Sequence, residues 1–298
     1  MPLRRHLLKT ILALACAALS PVAAWAAAFS SDRISIKTEG EGRDVILVPG
    51  LSSSPRVWAE VVKAVPGYRY HLVQVSGFAG QAVGGNTEGA VAAPVAEEIA
   101  RYIASIVQPG VQKPLLIGHS MGGSIGMMLA ARHPQAVSKL MVVDMLPFLG
   151  AMFGPPGTTA QSIKPVADDM LAKMRAATPE ARAQRTEAAI KSMINTAAMR
   201  APAVEDGLRS DPDVSARAYH ELVTTDLTAE LKNIVVPTSV VYVVPNGVPL
   251  SSEQMDGFYK MAYANVKEIR LKHIPASAHF IMWDQPDQFQ AEVRSFLK

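Results

Sequence analysis

Residues 115–123 read Leu115-Leu116-Ile117-Gly118-His119-Ser120-Met121-Gly122-Gly123. The first three form a short apolar run of the kind that predicts a buried strand, and the small residues after Ser120 favour a closely packed helix. Glycines stand two positions before and two positions after Ser120, where a sharp strand-to-helix turn leaves no room for side chains. The pattern predicts a nucleophile elbow with Ser120 at its tip. A phosphate-binding loop is disfavoured because no lysine follows the glycines at the required position.

Strand-like and helix-like segments alternate on both sides of this turn. The expected strands are short apolar runs bounded by Gly, Pro or Asp, and the segments between them carry helical patterns. This alternation is typical of an α/β protein with a mostly parallel central sheet and helices on both faces. The expected strands are residues 45–48, 70–75, 115–117, 140–143, 235–244 and 266–271, and the expected helices are residues 91–107, 121–132, 253–264 and 287–297.

Residues 147–228 break the alternation. They contain no convincing strand, many alanines, and methionines spread through the segment. We therefore expect a helical insertion, in which the methionines either fill the core or form an adaptable wall over a pocket. The core domain is then formed by residues 27–146 and 229–298.

The composition is that of a globular protein. Of the 298 residues, 49% are apolar and 18% are charged, which excludes disordered, collagen-like and disulfide-stapled chains. The chain has 29 basic and 26 acidic residues, and three of the basic ones lie within residues 1–26, which hold no acid. The rest of the chain is balanced and has no basic cluster, which argues against nucleic-acid binding.

Residues 1–26 have the three parts of a secretory signal. These are a basic start, an apolar run at residues 11–19, and the small residues Ala24 and Ala26 before the expected cleavage site. The apolar run is too short to span about 30 Å of hydrocarbon. We therefore expect an exported protein, periplasmic or secreted, that begins at Ala27 and is not stably inserted in a membrane. The single cysteine, Cys16, lies in the signal, so the mature chain would hold no disulfide.

Four segments, in this order along the chain, resemble the α/β-hydrolase superfamily and, within it, esterase-like members with a helical cap. The resemblance implies an α/β-hydrolase fold, a cap formed by residues 147–228, and a serine hydrolase. A serine at the elbow weighs against haloalkane dehalogenases and epoxide hydrolases, whose relatives carry aspartate there. The four segments are Val48-Pro49-Gly50-Leu51 followed by Trp58, residues 75–80, the elbow at Ser120, and Ser277-Ala278-His279-Phe280.

A serine hydroxyl needs a general base within hydrogen-bond reach, and histidine is the usual one. Of the seven histidines, His279 lies in a loop between the strand expected at 266–271 and the last helix, where the family carries its base. His119 is expected to point away from Ser120 across the turn. We therefore expect His279 to take and return the proton of Ser120.

The third member of such a site is a carboxylate that accepts the other ring N–H of the histidine. In most of the family it follows the strand expected here at 235–244, but Asn246 stands near that place and no acid does. Asp144, at the end of the strand expected at 140–143, ranks first because some superfamily members place the acid there. Asn246 as an uncharged orienter and Asp256 remain alternatives, and Asp144 could instead cap the following turn.

A tetrahedral intermediate also needs two backbone N–H donors for its oxyanion. Met121 follows the nucleophile and supplies one, and the resemblance assigns the other to Leu51. The mature chain shows no metal-ligand spacing, and this chemistry needs no cofactor. We therefore expect a serine hydrolase that cleaves small, mostly apolar carboxylic esters through an acyl-serine. An amidase, a lactonase or an acyltransferase would use the same triad, and a binding protein could keep the fold without turnover.

Overall fold

The computed structural model describes residues 29–107 and 112–298. The secretory signal expected at residues 1–26 lies outside the described residues and stays a prediction. Within the described ranges, no helix is both long enough and apolar enough to cross a bilayer.

The described residues form one seven-stranded sheet. Its strands are β1 (Ile34–Glu39), β2 (Arg43–Val48), β3 (Tyr68–Val75), β4 (Leu115–His119), β5 (Lys139–Val143), β6 (Thr238–Tyr242) and β7 (Ile269–His273). Their order across the sheet is β1-β3-β2-β4-β5-β6-β7. β1 pairs antiparallel with β3, and every other neighbouring pair is parallel. The carboxyl ends of the six parallel strands therefore meet at one edge, where open α/β sheets bind their ligands.

Helices connect these strands. They are α1 (Ala59–Ala64), α2 (Ala92–Ile106), α3 (Met121–Arg132), α4 (Ala160–Ala176), α5 (Pro179–Met193), α6 (Arg200–Arg209), α7 (Pro212–Thr224), α8 (Ser252–Ala262), α9 (Ile281–Asp284) and α10 (Pro286–Leu297). Apolar side chains of α2, α3 and α8 belong to the core on one face of the sheet, and those of α1, α9 and α10 belong to the core on the other. The predicted fold class, a mostly parallel sheet with helices on both faces, is confirmed.

The strands supply both cores because successive side chains point to opposite faces. In β2, Ile46 and Val48 belong to one core, and Val45 and Leu47 belong to the other. All four side chains are completely buried. A sheet that is covered on both faces needs strands that are apolar at nearly every position.

Residues 147–228 lie between β5 and β6 in the chain and hold α4 to α7 without a strand. α4 packs against α7, and α5 packs against α6. Phe148, Ile163, Ala167 and Val223 form a small apolar cluster separate from the two main cores. The division of the chain into a core domain and a cap domain stays a prediction.

Three strands differ from the sequence analysis. The strand expected at 235–244 is confined to β6, because Pro237 has no N–H for the ladder and Val243 donates its N–H to the Asp144 side chain. The strand expected at 266–271 begins three residues later, at Ile269. β1 was missed because Ile34 is its one buried side chain, so it carries little of the apolar pattern that predicts strands.

Candidate active site

The turn between β4 and α3 is strained at Ser120, which has φ 53° and ψ −123°. A Cβ on Gly118 would lie 2.0 Å from the carbonyl oxygen of Gly122. A Cβ on Gly122 would lie 2.2 Å from the carbonyl oxygen of Val48. Because real Cβ atoms do not approach backbone so closely, both positions require glycine. Ser120 therefore lies in a tight turn whose backbone is also in close contact with the end of β2.

Asp144 follows β5 directly and lies beside His279. Its Oδ2 is 2.6 Å from His279 Nδ1, and since a carboxylate only accepts, Nδ1 carries the proton. Its backbone has φ 48°, a left-handed conformation that aspartate tolerates better than most residues. Its N–H donates to the Val241 carbonyl oxygen at 2.7 Å. The contact joins two residues that are 135 positions apart in the sequence.

The other carboxylate oxygen of Asp144 is also held. Oδ1 accepts from the Val243 N–H at 3.1 Å and from the Tyr259 hydroxyl at 3.3 Å. Burial, and next the charge of Asp144, hold the pKa of Tyr259 well above its ordinary value of 10.0. The hydroxyl therefore keeps its proton and remains a donor. Tyr259 is itself stacked on Tyr242, with ring centroids 3.9 Å apart.

The two alternative partners of His279 lie elsewhere. Asn246 is exposed and donates its side-chain amide to a carbonyl oxygen at the end of α5, at 3.0 Å. Asp256 accepts from the Tyr242 hydroxyl at 2.7 Å. Of the three candidates, the structure brings Asp144 to His279.

His119 has a place that the sequence analysis missed. Its ring centroid lies 4.6 Å from that of His279, and its Nε2 donates to the His279 carbonyl oxygen at 3.0 Å. Burial, and next the proximity of His279, hold the pKa of His119 well below its ordinary value of 6.5. His119 is therefore neutral, with its proton on Nε2. Nothing local in the sequence signals this contact, because it joins residues 160 positions apart.

The loop after β2 passes directly beside Ser120. A Cβ on Gly50 would lie 3.1 Å from Ser120 Cβ, so Leu51, the next residue, is a neighbour of the serine. Met121 is the first residue of α3, and the first N–H groups of a helix have no acceptor within it. The two residues that were expected to bind an oxyanion, Leu51 and Met121, thus flank Ser120.

Helices α6 and α7 hold the same loop. Asp206 on α6 accepts from the Ser54 hydroxyl at 2.6 Å and from the Ser54 N–H at 3.0 Å. Ser215 on α7 lies 2.8 Å from the Ser52 hydroxyl. Burial raises the pKa of Asp206, and the Ser54 bonds and the charge of Arg56 oppose the rise. The loop beside Ser120 is therefore connected to the helical segment by polar contacts.

Ser120, His279 and Asp144 line a cavity of about 790 Å³. Its other wall is built from side chains of α4 to α7. The volume falls within the range of small-molecule sites. Most of the larger lining side chains are apolar, among them Leu51, Met145, Phe153, Met174, Ile190 and Phe280.

The other histidines of the described chain have different partners. In residues 29–107 and 112–298, no group of three or more His, Cys, Asp or Glu side chains is placed to hold a metal ion. His71 contacts Asp44 and Tyr102, His133 contacts Glu97, His220 contacts Asp168, and His273 stacks on Tyr242.

The sheet order, the strained serine turn and the cavity beside it define a protein of hydrolase architecture. Residues 45–292 match the model of the alpha/beta hydrolase family, and the chain belongs to this family. A relative, the pimeloyl-(acyl-carrier protein) methyl ester esterase of Aliivibrio salmonicida, is 25% identical over 270 residues. The alignment covers 88% of this chain and 95% of that protein.

Solved structures share the fold. An esterase from Exiguobacterium antarcticum superposes with a TM-score of 0.71 at 19% identity, over 89% of this chain and 95% of that chain. An enol-lactonase from Burkholderia xenovorans LB400 superposes with a TM-score of 0.70 at 18% identity, over 89% and 96% of the two chains. The proteins that this chain resembles in sequence and fold are therefore hydrolases.

Proposed function

We propose that the protein hydrolyses carboxylic esters with Ser120, His279 and Asp144 as a catalytic triad. The observation that carries the proposal is the 2.6 Å hydrogen bond from His279 Nδ1 to Asp144 Oδ2, on the cavity that Ser120 also lines. Because Nδ1 is engaged, Nε2 is the ring nitrogen left to accept the serine proton. The methyl ester esterase relative, matched over 95% of its length, supports an ester as substrate.

The first half-reaction forms an acyl-enzyme. Ser120 Oγ attacks the ester carbonyl carbon while His279 Nε2 takes the hydroxyl proton. Asp144 keeps the ring in the correct tautomer and stabilises the imidazolium. The N–H groups of Leu51 and Met121 bind the oxyanion. The intermediate then collapses, the proton passes from His279 to the leaving alkoxide, and the acyl group stays on Ser120.

The second half-reaction uses water as the nucleophile. His279 Nε2 takes a proton from the water as its oxygen attacks the acyl carbon. Collapse of the second tetrahedral intermediate breaks the bond to Ser120 Oγ. The proton on His279 then returns to that oxygen, and the carboxylic acid leaves. No cofactor takes part in either half-reaction.

The test is covalent labelling followed by turnover. A fluorophosphonate probe reacts with an activated serine, so the wild-type protein should be labelled and Ser120→Ala should not. With p-nitrophenyl esters from acetate to palmitate, kcat of Ser120→Ala should fall at least about a thousandfold while its melting temperature is kept.

Ser105→Ala is the matched control, at an exposed residue near the end of α2 whose hydroxyl donates to the Tyr102 carbonyl oxygen, and it should keep both labelling and turnover. Full activity in folded Ser120→Ala would refute the serine mechanism. Labelling without hydrolysis of any ester in the panel would refute the ester substrate and direct attention to other acyl compounds.

A further inference from the structure

The end of the cavity that is remote from His279 carries positive charge. Helix α5 lines the cavity with residues spaced three or four apart, from Arg182 through Ile190 to Met193. Met193 marks the catalytic end, because its carbonyl oxygen accepts the N–H of Phe280, the neighbour of His279, at 3.2 Å. At 1.5 Å per residue, Arg182 lies about 16 Å farther along the helix axis.

Three cationic side chains line the cavity near the connection between α4 and α5. They are Arg182 and Arg185 on α5 and Lys173 on α4. Among the described residues that line the cavity, the one carboxylate is Asp144, and both of its oxygens are engaged at the opposite end. The charges of the lining are therefore separated, with the cationic side chains toward the start of α5 and the carboxylate of Asp144 beside His279.

Part of this positive charge has no partner in the described chain. Arg182 donates through Nη2 to the Leu208 carbonyl oxygen at 2.5 Å, but its Nε is buried without an acceptor. Lys173 is paired with Asp169, which is not a lining residue. Arg185 is exposed and makes no ion pair with a described carboxylate. Buried guanidinium N–H groups nearly always have a hydrogen-bond acceptor. A ligand bound at this end of the cavity would supply the acceptor that Arg182 Nε lacks.

We infer that the cavity takes an ester whose acyl chain ends in an oxyanion, held by Arg182 and Arg185 while the ester group lies at Ser120. The guanidinium group matches a carboxylate or a phosphate in shape and charge. Met170 and Met174 also line the cavity, and their flexible apolar side chains suit a methylene chain. The inference names the substrate class of the proposed esterase and rests on that proposal.

Binding is measured first, without turnover, on the Ser120→Ala protein. Calorimetry compares methyl half-esters of linear dicarboxylic acids, from adipic to sebacic acid, with the corresponding dimethyl esters. The half-ester of the best-fitting length should bind at least about tenfold more tightly, because a charge-assisted hydrogen bond replaces a neutral contact. Adding Arg185→Gln should reduce the difference about tenfold, because Arg182 alone then faces the oxyanion. The same chains ending in phosphate distinguish the two oxyanions, and preference for either one supports the inference.

Turnover is measured next as the ratio of kcat/KM for the half-ester to that for the dimethyl ester. Arg185→Gln should lower this ratio about tenfold, chiefly through KM, because a contact remote from the reacting bond stabilises bound substrate and transition state alike. Arg185→Lys keeps the charge and should retain part of the preference. Lys191→Gln, a charge loss on the same helix but outside the cavity lining, should leave the ratio unchanged.

Equal binding and equal kcat/KM for both esters would overturn the inference while leaving ester hydrolysis in place. An unchanged ratio in Arg185→Gln would also overturn it. Arg185-dependent binding of the half-ester by a protein that hydrolyses neither ester would support the anion site and refute the proposed function. Because Arg185 is exposed, its substitution should leave the fold intact, and the melting temperature of each variant checks this.

Discussion

Two residues of the proposed triad hold left-handed backbone without being glycine. Ser120 has φ 53° and Asp144 has φ 48°, and each directly follows one of two neighbouring strands, β4 and β5. Such conformations cost on the order of 1–3 kcal/mol and persist only where the surroundings determine them. At Asp144 the determining contacts are its N–H bond to Val241 and the bonds of its carboxylate to His279, Val243 and Tyr259. With this backbone conformation, both side chains line the cavity at the edge of the sheet.

Asp144→Asn should lower kcat about 10³- to 10⁴-fold while the protein stays folded. Asparagine also tolerates left-handed backbone, so the turn is kept. The neutral amide no longer stabilises the imidazolium of His279 or selects its tautomer. Steady-state hydrolysis of p-nitrophenyl butyrate, with the melting temperature measured alongside, tests this. Asp256→Asn is the matched control and should be nearly normal. A near-normal rate in folded Asp144→Asn would remove Asp144 from the triad.

At the level of the elements, helix α2 depends on a distant side chain for its start. Val91 holds its N-cap position and offers no capping side chain. Glu221 on α7 replaces it, with Oε2 accepting from the N–H groups of Val91 and Ala92 at 2.6 and 2.7 Å and Oε1 accepting from that of Ala93 at 2.8 Å. A carboxylate also complements the positive end of the helix dipole. Charge-assisted hydrogen bonds thus connect α7, one of the inserted helices, to the start of α2 in the core.

Glu221→Gln should lower the free energy of unfolding by about 2 kcal/mol. The glutamine side chain is neutral, and its amide N–H groups would face backbone N–H groups that the carboxylate accepts from. Urea denaturation followed by circular dichroism measures the change. Glu187→Gln, on an exposed position of α5, is the matched control and should change the stability by less than about 0.5 kcal/mol. Equal unfolding midpoints for Glu221→Gln and the wild type would show that the hydrogen bonds of Glu221 to the start of α2 contribute nothing to stability.

For the whole molecule, two buried histidines make stability depend on pH. Burial, partly offset by Asp44, lowers the pKa of His71, and burial followed by the proximity of His279 lowers that of His119 well below 6.5. Below about pH 6.5 the unfolded chain therefore binds more protons than the folded one. The contribution of the two neutral histidines to the free energy of unfolding should be complete above this pH. It should decrease as the pH drops, by up to about 1.4 kcal/mol per pH unit for each histidine.

The measurement is the melting temperature at pH 7.5 and at pH 5.5. The drop between the two should be smaller in His119→Gln than in the wild type, because that variant no longer has this histidine to protonate on unfolding. His133→Gln, at the exposed end of α3, should show the wild-type drop. If His119→Gln and the wild type lose the same amount, burial of His119 does not contribute to the acid sensitivity.

The fold class and the serine turn could be predicted from the amino-acid sequence because both depend on short-range patterns. His279 as the base was expected from the family resemblance and stays a prediction. Strands that are apolar at every position require cover on both faces, and the glycines at 118 and 122 stand where a Cβ would meet backbone at about 2 Å. Such constraints act between near neighbours in the chain, so they can be read before the chain is folded.

Which of Asp144, Asn246 and Asp256 meets His279 could not be predicted from the sequence, because each stands at a chemically reasonable place in it. The choice depends on a contact across 135 residues, made when β5 and the loop of His279 reach the same edge of the sheet. The position of His119, the replacement of a helix cap by Glu221 and the positive end of the cavity were missed for the same reason. Their partners come together through strand order and helix packing, and neither leaves a local mark in the sequence.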